Sequence, residues 1–482
     1  MLDAGSRDLP ARQQTLRGAI AWSYDLLDER ARRLLACFSV FVGGADLEAA
    51  EAVCGGDGFD VLEGLADLVD QSLIRQDETS GEPRFSMLFV IREFARERLA
   101  ELEIAASVAE RHAEFYRDMA EAAAPGMTGP DQKRLLDGLD RENGNLRAAL
   151  TWSIESGASE TALRLGFALW RFWQMRGLLV EGANWLERVL AVSSAAAHPQ
   201  ARARALEAAG GVAYWRARMP EAIEYYEACL ELCRKTGDKQ AIANALYNIG
   251  FPSTVNGIDV PRAMTTLEES LALYRELGDE KMIARVMWGL GNANYFAKNY
   301  GKARDILVED VVMLRRFDDP FSLSWALHTL GLSYHRLGQT VPYSGPLWRE
   351  ALEHFAAVGD VSGLTILLGD FSLLASAEGD DLRAVILDAA SLRIAEVGGI
   401  LLGAVVGREE EGRPEIVTPD PAAARAATQA AIDRGRAMTV EQAVEYALAG
   451  LSAPSGPSAP SAPSAPSAPS APSASPAPAS AR

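Results

Sequence analysis

The feature that most constrains this chain is a repeat. Four positions recur in register as Leu206-x-x-Ala209-Gly210, Leu246-x-x-Ile249-Gly250, Met287-x-x-Leu290-Gly291 and Leu327-x-x-Leu330-Gly331, with Gly-to-Gly steps of 40, 41 and 40. A second set follows 12–13 residues later. It reads Ala222-x3-Tyr226-x2-Cys229-Leu230, Ala263-x3-Leu267-x2-Ser270-Leu271, Ala303-x3-Leu307-x2-Asp310-Val311 and Ser344-x3-Trp348-x2-Ala351-Leu352. Each unit closes on a polar turn: Gly237-Asp238, Gly278-Asp279, Asp318-Asp319 and Gly359-Asp360. Spacings of three and four are helical, and Gly-Asp stops a helix. Each unit is therefore two antiparallel helices of roughly four turns. One such hairpin cannot bury both its faces, so neighbours must stack.

The small residues have a mechanical reason. Gly210, Gly250, Gly291 and Gly331 let the partner helix approach closely, and Ala222, Ala263 and Ala303 do the same on the second helix. This small-large code resembles the tetratricopeptide repeat, in a long form of about 40 residues per unit. A weaker unit precedes the four (Ala168 to Leu190), and another follows from Leu364 through Arg383-Ala384 to Leu392. In such repeats the first helix of each hairpin lines an inner groove. The positions expected to be exposed there lie three before, one after and four after each glycine: Tyr247, Phe251 and Thr254; Trp288, Asn292 and Tyr295; His328, Leu332 and His335. Asn244, Arg285 and Trp325 lie six before it. Aromatic area beside Asn and Arg is what a peptide-binding surface uses. The expected partner-binding groove is Asn244, Tyr247, Arg285, Trp288, Asn292, Tyr295, Trp325, His328 and His335, taking a protein or peptide ligand. The competing reading is that some of these aromatics pack between helices.

Composition narrows the rest. With 47 basic and 66 acidic residues the net charge is −19, unlike a nucleic-acid coat or a membrane-surface binder. No apolar run is expected to reach the ~18 residues that cross a bilayer, so no membrane partner is expected. The N-terminus carries no export signal, and four cysteines make no disulfide framework, so a cytoplasmic protein is expected. The five histidines show no metal-ligand spacing. Cys229 and Cys233, one turn apart, read as core. Glu268-Glu269 and Glu409-Glu410-Glu411 read as solvated charge. No Gly-x-Ser-x-Gly motif and no Cys/His arrangement for nucleophilic catalysis occurs. No enzyme activity, cofactor or metal is expected.

Residues 11–104 read differently. Helical spacing runs through Leu16, Ile20, Trp22, Leu26 and Leu27; a second helix carries Arg33, Leu34 and Leu35. A third runs from an Asp46 N-cap to Val53, and a fourth from Phe59 to Val69. Then Ser72-Leu73-Ile74-Arg75 and Arg84-Phe85-Ser86-Met87 alternate around a turn, which predicts a β-hairpin. A helix with Ile91, Phe94, Ala95 and Leu99 closes the unit. Helices followed by a two-stranded ribbon make a winged helix.

Several strings carry a closer resemblance: Asp8-Leu9-Pro10-Ala11-Arg12-Gln13-Gln14-Thr15-Leu16-Arg17, Trp22-Ser23-Tyr24-Asp25-Leu26-Leu27, Ser39-Val40-Phe41-x-Gly43-Gly44 and Leu68-Val69-Asp70-x-Ser72-Leu73. They resemble the winged-helix segment of large bacterial regulators of the STAND NTPase class, including LuxR-type multidomain regulators. Asn145-Leu146-Arg147-Ala148-Ala149-Leu150-x-Trp152, Gly177-x4-Gly182-x-x-Trp185-Leu186 and Gly435-Arg436-Ala437-Met438-Thr439 are similar to the regions that follow. The resemblance covers roughly residues 5–450 and implies the non-catalytic sensor arm of a transcriptional or signal-transduction regulator. In that class an NTPase core lies N-terminal to the winged helix. No Gly-x4-Gly-Lys-Ser/Thr occurs in this sequence, so the arm is expected without its NTPase, and an NTPase-containing regulator is an implied partner.

The alternative is a regulator that contacts DNA through the winged helix. The helix that would enter the groove carries Asp60, Glu63, Asp67 and Asp70 and no Lys or Arg, and residues 10–104 hold 10 Arg, no Lys and 18 acids. Such charge opposes phosphate contact, so direct DNA binding is not expected. The expected fold is mainly α. It runs as a winged-helix domain (11–104), a helical linker with a first degenerate repeat (105–198), tetratricopeptide-like repeats (199–398), a loop with C-terminal helices (399–450) and a disordered Ser-Ala-Pro tail (451–482).

Overall fold

The computed structural model describes residues 11–56, 60–77, 83–255, 260–401, 414–416 and 420–449. Most of the expected hairpin turn at 78–83, the helix start at Phe59, most of 400–418 and the tail at 451–482 lie outside them. Twenty-two α-helices and three short strands make up the described residues, a mainly α fold.

Three aspartates start the helices of the N-terminal unit. Asp28, Asp46 and Asp60 accept from the backbone N–H of Ala31, Ala49 and Glu63, satisfying one orphan donor each. After α1 (Ala11–Asp25) they begin α2 (Glu29–Phe38), α3 (Leu47–Cys54) and α4 (Val61–Asp70). Leu34, Phe38, Leu65 and Leu68 repeat at helical spacing and meet in one core with Ile74, just before the ribbon, and Phe85 within it. The ribbon is shorter than the alternation suggested. Ser72 takes a left-handed φ of 58°, so β2 begins only at Arg75 (Arg75–Asp77) and pairs antiparallel with β3 (Arg84–Ser86), Gln76 opposite Phe85. A third strand, β1 (Ala45–Asp46), pairs with the other edge of β3, giving the order β1-β3-β2. Two residues are too few for sequence alternation to reveal. Helix α5 (Phe89–Ala100) closes the winged helix.

A buried polar clamp fastens this unit to the next helices, α6 (Ala105–Ala123), α7 (Gln132–Arg141) and α8 (Asn143–Glu155). Asn145 accepts from Val42 N–H (2.6 Å) and donates to the Gly44 carbonyl (2.9 Å) and to Glu142 (2.7 Å). Glu142 also pairs with Arg84 and accepts from the Tyr116 hydroxyl. Burial pulls His112, beside Asn145, down to about 4, so it stays neutral at pH 7. Satisfied buried networks of this kind fix one geometry between two layers.

Six helix pairs follow: α9 (Ser159–Met175) with α10 (Leu179–Leu190), α11 (Pro199–Trp215) with α12 (Met219–Thr236), and α13 (Lys239–Val255) with α14 (Val260–Leu277). Then come α15 (Glu280–Phe296) with α16 (Tyr300–Leu314), α17 (Pro320–Arg336) with α18 (Gly345–Val358), and α19 (Val361–Glu378) with α20 (Asp381–Gly398). Helices α21 (Pro421–Arg436) and α22 (Val440–Ala449) cap the last pair. A Cβ on Gly210, Gly250 or Gly291 would stand 2.5–2.7 Å from Tyr226, Leu267 or Leu307 of the partner helix, and one on Gly331 would strike the Trp348 indole. Gly166 in α9 and Gly369 in α19 extend the glycine series to both outer pairs.

Helix α19 also corrects an expectation. Val361–Glu378 has the length and mean hydropathy (1.3) of a membrane span, and most of it is buried inside the fold. It is apolar because it lies between α18, α20 and α22, with Leu364, Leu367, Leu368, Phe371 and Leu374 in the core.

The solenoid does not end open. Its last pairs return to its first, closing a ring. Arg176, at the end of α9, donates to the Val358 and Gly359 carbonyls (3.1 Å each) and to Asp137 and Asp140 (2.6 Å each). Gln174 donates to Ser362 (3.1 Å), and Leu401 N–H to the Trp215 carbonyl (3.1 Å). The Arg176 side chain is 14% exposed, whereas Asp137 and Asp140 are 45% and 43% exposed, so solvent screens the ion pairs in part. Arg176→Ala is expected to lower unfolding stability by about 1–2 kcal/mol, because four partly exposed acceptors lose a shared charged donor. Urea denaturation followed by circular dichroism checks it; an unchanged midpoint would mean the closure contributes nothing.

Candidate functional site

Closing the ring turns the inner groove into a chamber of about 160 Å³. The repeat register decides what lines it. Three before the glycine stand Tyr247, Trp288, His328 and Ile366; one after stand Gly211, Phe251, Asn292, Leu332 and Asp370; four after stand Trp170, Tyr214, Tyr295 and Leu373. Seven of the nine sequence-predicted groove residues come together here: Tyr247, Arg285, Trp288, Asn292, Tyr295, Trp325 and His328. Asn244 and His335 do not. Asn244 is outside the lining, donating to Glu207 (2.7 Å) and accepting from Arg285 (3.4 Å), and the His335 ring meets the Thr340 hydroxyl (2.9 Å).

Exposure differs from the expectation. Tyr247, Tyr295, Trp325 and Asn292 are each under 9% exposed and Thr254 is fully buried, because the aromatic rings pack on one another across neighbouring helices. Tyr247 stacks on Phe251 (5.8 Å between ring centres), Phe251 meets Trp288 (4.7 Å), and Trp325 contacts Trp215 (5.4 Å) and Phe355 (5.1 Å). The competing packing reading therefore holds for Tyr247 and Trp325, which are core and wall at once. Trp288 is the half-buried member. Its indole N–H donates to Thr329 (3.1 Å), and Thr329 donates to Asn292 (3.3 Å).

The charged members are few. His328 Nδ1 lies 2.5 Å from Asp370 Oδ2. Arg285 lies over the Tyr247 ring (4.5 Å). Sequence reasoning missed Arg171 and Trp170, which stack face to face at 3.9 Å. Burial, then the positive charge of Arg285, pulls the Arg171 guanidinium down to about 10. Trp170 sits four after Gly166, the same inner position as Tyr214, so the glycine register extended one unit back would have found it. A side chain on Gly211 would strike the Trp170 ring, so that glycine is what admits the indole.

Elsewhere, Cys229 and Cys233 are buried with sulfurs 3.9 Å apart, and no group of three or more metal-ligating side chains occurs among the described residues. On the winged helix, Leu62, Glu63, Ala66, Asp67 and Asp70 form the exposed face of α4.

Comparison with known proteins places part of the chain. Residues 27–100 match the winged helix-turn-helix domain. Over 271 residues the chain is 36% identical to a Mycobacterium tuberculosis H37Rv protein named "Putative HTH-type transcriptional regulator", covering 53% of this chain and 30% of that protein. An uncharacterized protein of the same strain is 31% identical over 121 residues, covering 24% of this chain and 31% of its own length. The chain thus spans about 30% of the length of these relatives. Among solved structures, a STAND protein with a tetratricopeptide repeat sensor from Pyrococcus horikoshii aligns over 89% of this chain and 65% of its own, at 15% identity and a TM-score of 0.42. The apo form of RapI aligns over 59% and 98%, at 14% identity and 0.44. Scores below 0.5 fall short of a shared overall fold and carry no functional weight.

Proposed function

We propose that the chain is the non-catalytic sensor arm of a LuxR-type or STAND-class transcriptional regulator, acting in the cytoplasm beside an NTPase-bearing partner. Its helical ring takes up part of a protein or peptide ligand. One observation carries the reading: six successive first helices place their inner positions around a single aromatic chamber, and the Asn145 clamp couples that ring to the winged helix. Binding that shifts the ring would therefore move the winged helix with it. Fold alone does not give function, so the chamber is the part to test.

Aromatic anchors dominate such interfaces, and truncating one often costs ~2 kcal/mol or more. Trp288→Ala should weaken recapture of a purified partner roughly thirtyfold with helix content unchanged. Isothermal titration against wild type, with circular dichroism as the folding check, measures it. Equal affinity would remove the chamber from the reading. A second reading, DNA contact through the winged helix, is favoured by the match over 27–100 and opposed by the acidic face of α4. A mobility-shift titration at two salt concentrations, run on the same protein, separates the two.

A further inference from the structure

Two guanidiniums face the chamber with no carboxylate answering them. Arg171 donates to Gln174 Oε1 (2.7 Å), and its flat face lies against Trp170 (3.9 Å) and within 5.3 Å of the Phe321 ring centre. Arg285 reaches Asn244 Oδ1 only at 3.4 Å and covers Tyr247. Among the described residues neither makes an ion pair within 4 Å. Of the nearby acids, Asp370 meets His328, Glu207 accepts from Asn244 and Asn248, and Asp360 accepts from Ser362 and the Gly363 N–H through one oxygen while its other oxygen has no hydrogen bond; none of them pairs with Arg171 or Arg285. Placing two like charges side by side in a largely buried site is costly unless a negative group joins them. In a chain of net charge −19 it is also the reverse of the general trend.

The rest of the lining states what the negative group is attached to. Stacking on rings covers the guanidinium faces and leaves their N–H edges for a ligand, the fork that matches a carboxylate. The remaining walls are Tyr214, Phe251, Trp288 and Phe321. A volume of about 160 Å³ compares with the ~150 Å³ cavity that holds one benzene. Asn248 and Asn292 also line it, their amides bonded to Glu207 and to Trp288 and Thr329.

From these we infer that the chamber binds an aromatic carboxylate of single-ring size, its acid between Arg171 and Arg285 and its ring among the tryptophans. The inference rests on the chamber being the ligand site. The same chemistry is offered by a free aromatic acid and by the C-terminal aromatic residue of a peptide.

The test uses the purified full chain, with tryptophan fluorescence and isothermal titration. Phenylacetate is compared with phenylacetamide, and the peptide Gly-Gly-Gly-Phe with its C-terminal amide. Each acid should bind at least tenfold more tightly than its amide, and the stronger acid identifies the source. Arg171→Gln and Arg285→Gln should abolish the preference for the acid. Arg171→Lys should keep part of it, and Arg164→Gln, whose partner is Glu121 away from the chamber, should keep all of it. If a Gln variant fails to fold by circular dichroism, the Lys variant and the acid-to-amide ratio on wild type decide. Amides that bind as well as acids, or no acid binding up to millimolar concentration, would overturn the inference. Should partner affinity still fall in Trp288→Ala, the chamber remains the site and only the charge argument is wrong; should both fail, the chamber is not a ligand site.

Discussion

Gly331→Leu should collapse the ring around α17. Gly331 is where α17 meets α18, and any Cβ there runs into the Trp348 indole. Trp348 is fully buried and donates its N–H to the His328 carbonyl (3.1 Å), so it has nowhere to retreat. Overpacking a close-packed contact costs roughly 1–3 kcal/mol, and more when the neighbour is rigid. In a stacked array the loss spreads through the interfaces on either side, α15 and α19. The ring closure then fails as well, because α19 carries Ser362, the acceptor for Gln174. The expected result is a fall in melting temperature of ~10 °C or more with loss of helical signal, given ~2–4 °C per kcal/mol for a unit of this size. Gly301→Leu is the control: its Cβ position is open, and it should melt as wild type. Equal melting of Gly331→Leu and wild type would show that the repeat register is wrong.

Asp310→Ser should stabilise the protein, and more so as pH rises. Asp310 occupies the small-residue slot of α16 that Ser270 and Ser391 fill in other units, where each serine donates to a backbone carbonyl of the partner helix. Asp310 is fully buried and neither carboxylate oxygen has a partner. Burial pushes its carboxyl up to about 8 from an ordinary value of 3.8. Between pH 4 and pH 8 the folded state keeps a proton that the unfolded state has released, so folding stability falls as pH rises through that window. Above pH 8 the loss is complete. Each tenfold change in proton affinity is worth about 1.36 kcal/mol, giving an effect on the order of 3–5 kcal/mol at pH 8 and little at pH 4. Urea midpoints of wild type and Asp310→Ser at pH 5, 6.5 and 8 measure it. A gap between the two that does not widen with pH would mean that Asp310 finds a hydrogen-bond partner in solution.

Local spacing carried much of this protein. The 40-residue register made the helix pairs legible because each glycine and each polar turn acts within its own hairpin, over a dozen residues. The same register, counted three before, one after and four after each glycine, marked the inner wall. The Asp46 cap acts over three residues and was legible, and the winged helix followed from helical spacing with the Arg84–Ser86 alternation; the caps at Asp28 and Asp60 came only with the structure.

Tertiary structure decided what no local pattern holds. Each helix pair turns a little relative to the last, and only the sum over six pairs brings α9 against α19. The bonds that close the ring join residues 182 to 188 apart, Arg176 to Val358 and Gln174 to Ser362. That closure brings Trp325 against Trp215, shrinks an open groove to a chamber, and sets Arg171 and Arg285 on the same lining. The sequence could name the inner face of each helix from its periodicity. Which inner faces meet depends on accumulated rotation, a property of the packed interfaces and not of any one segment.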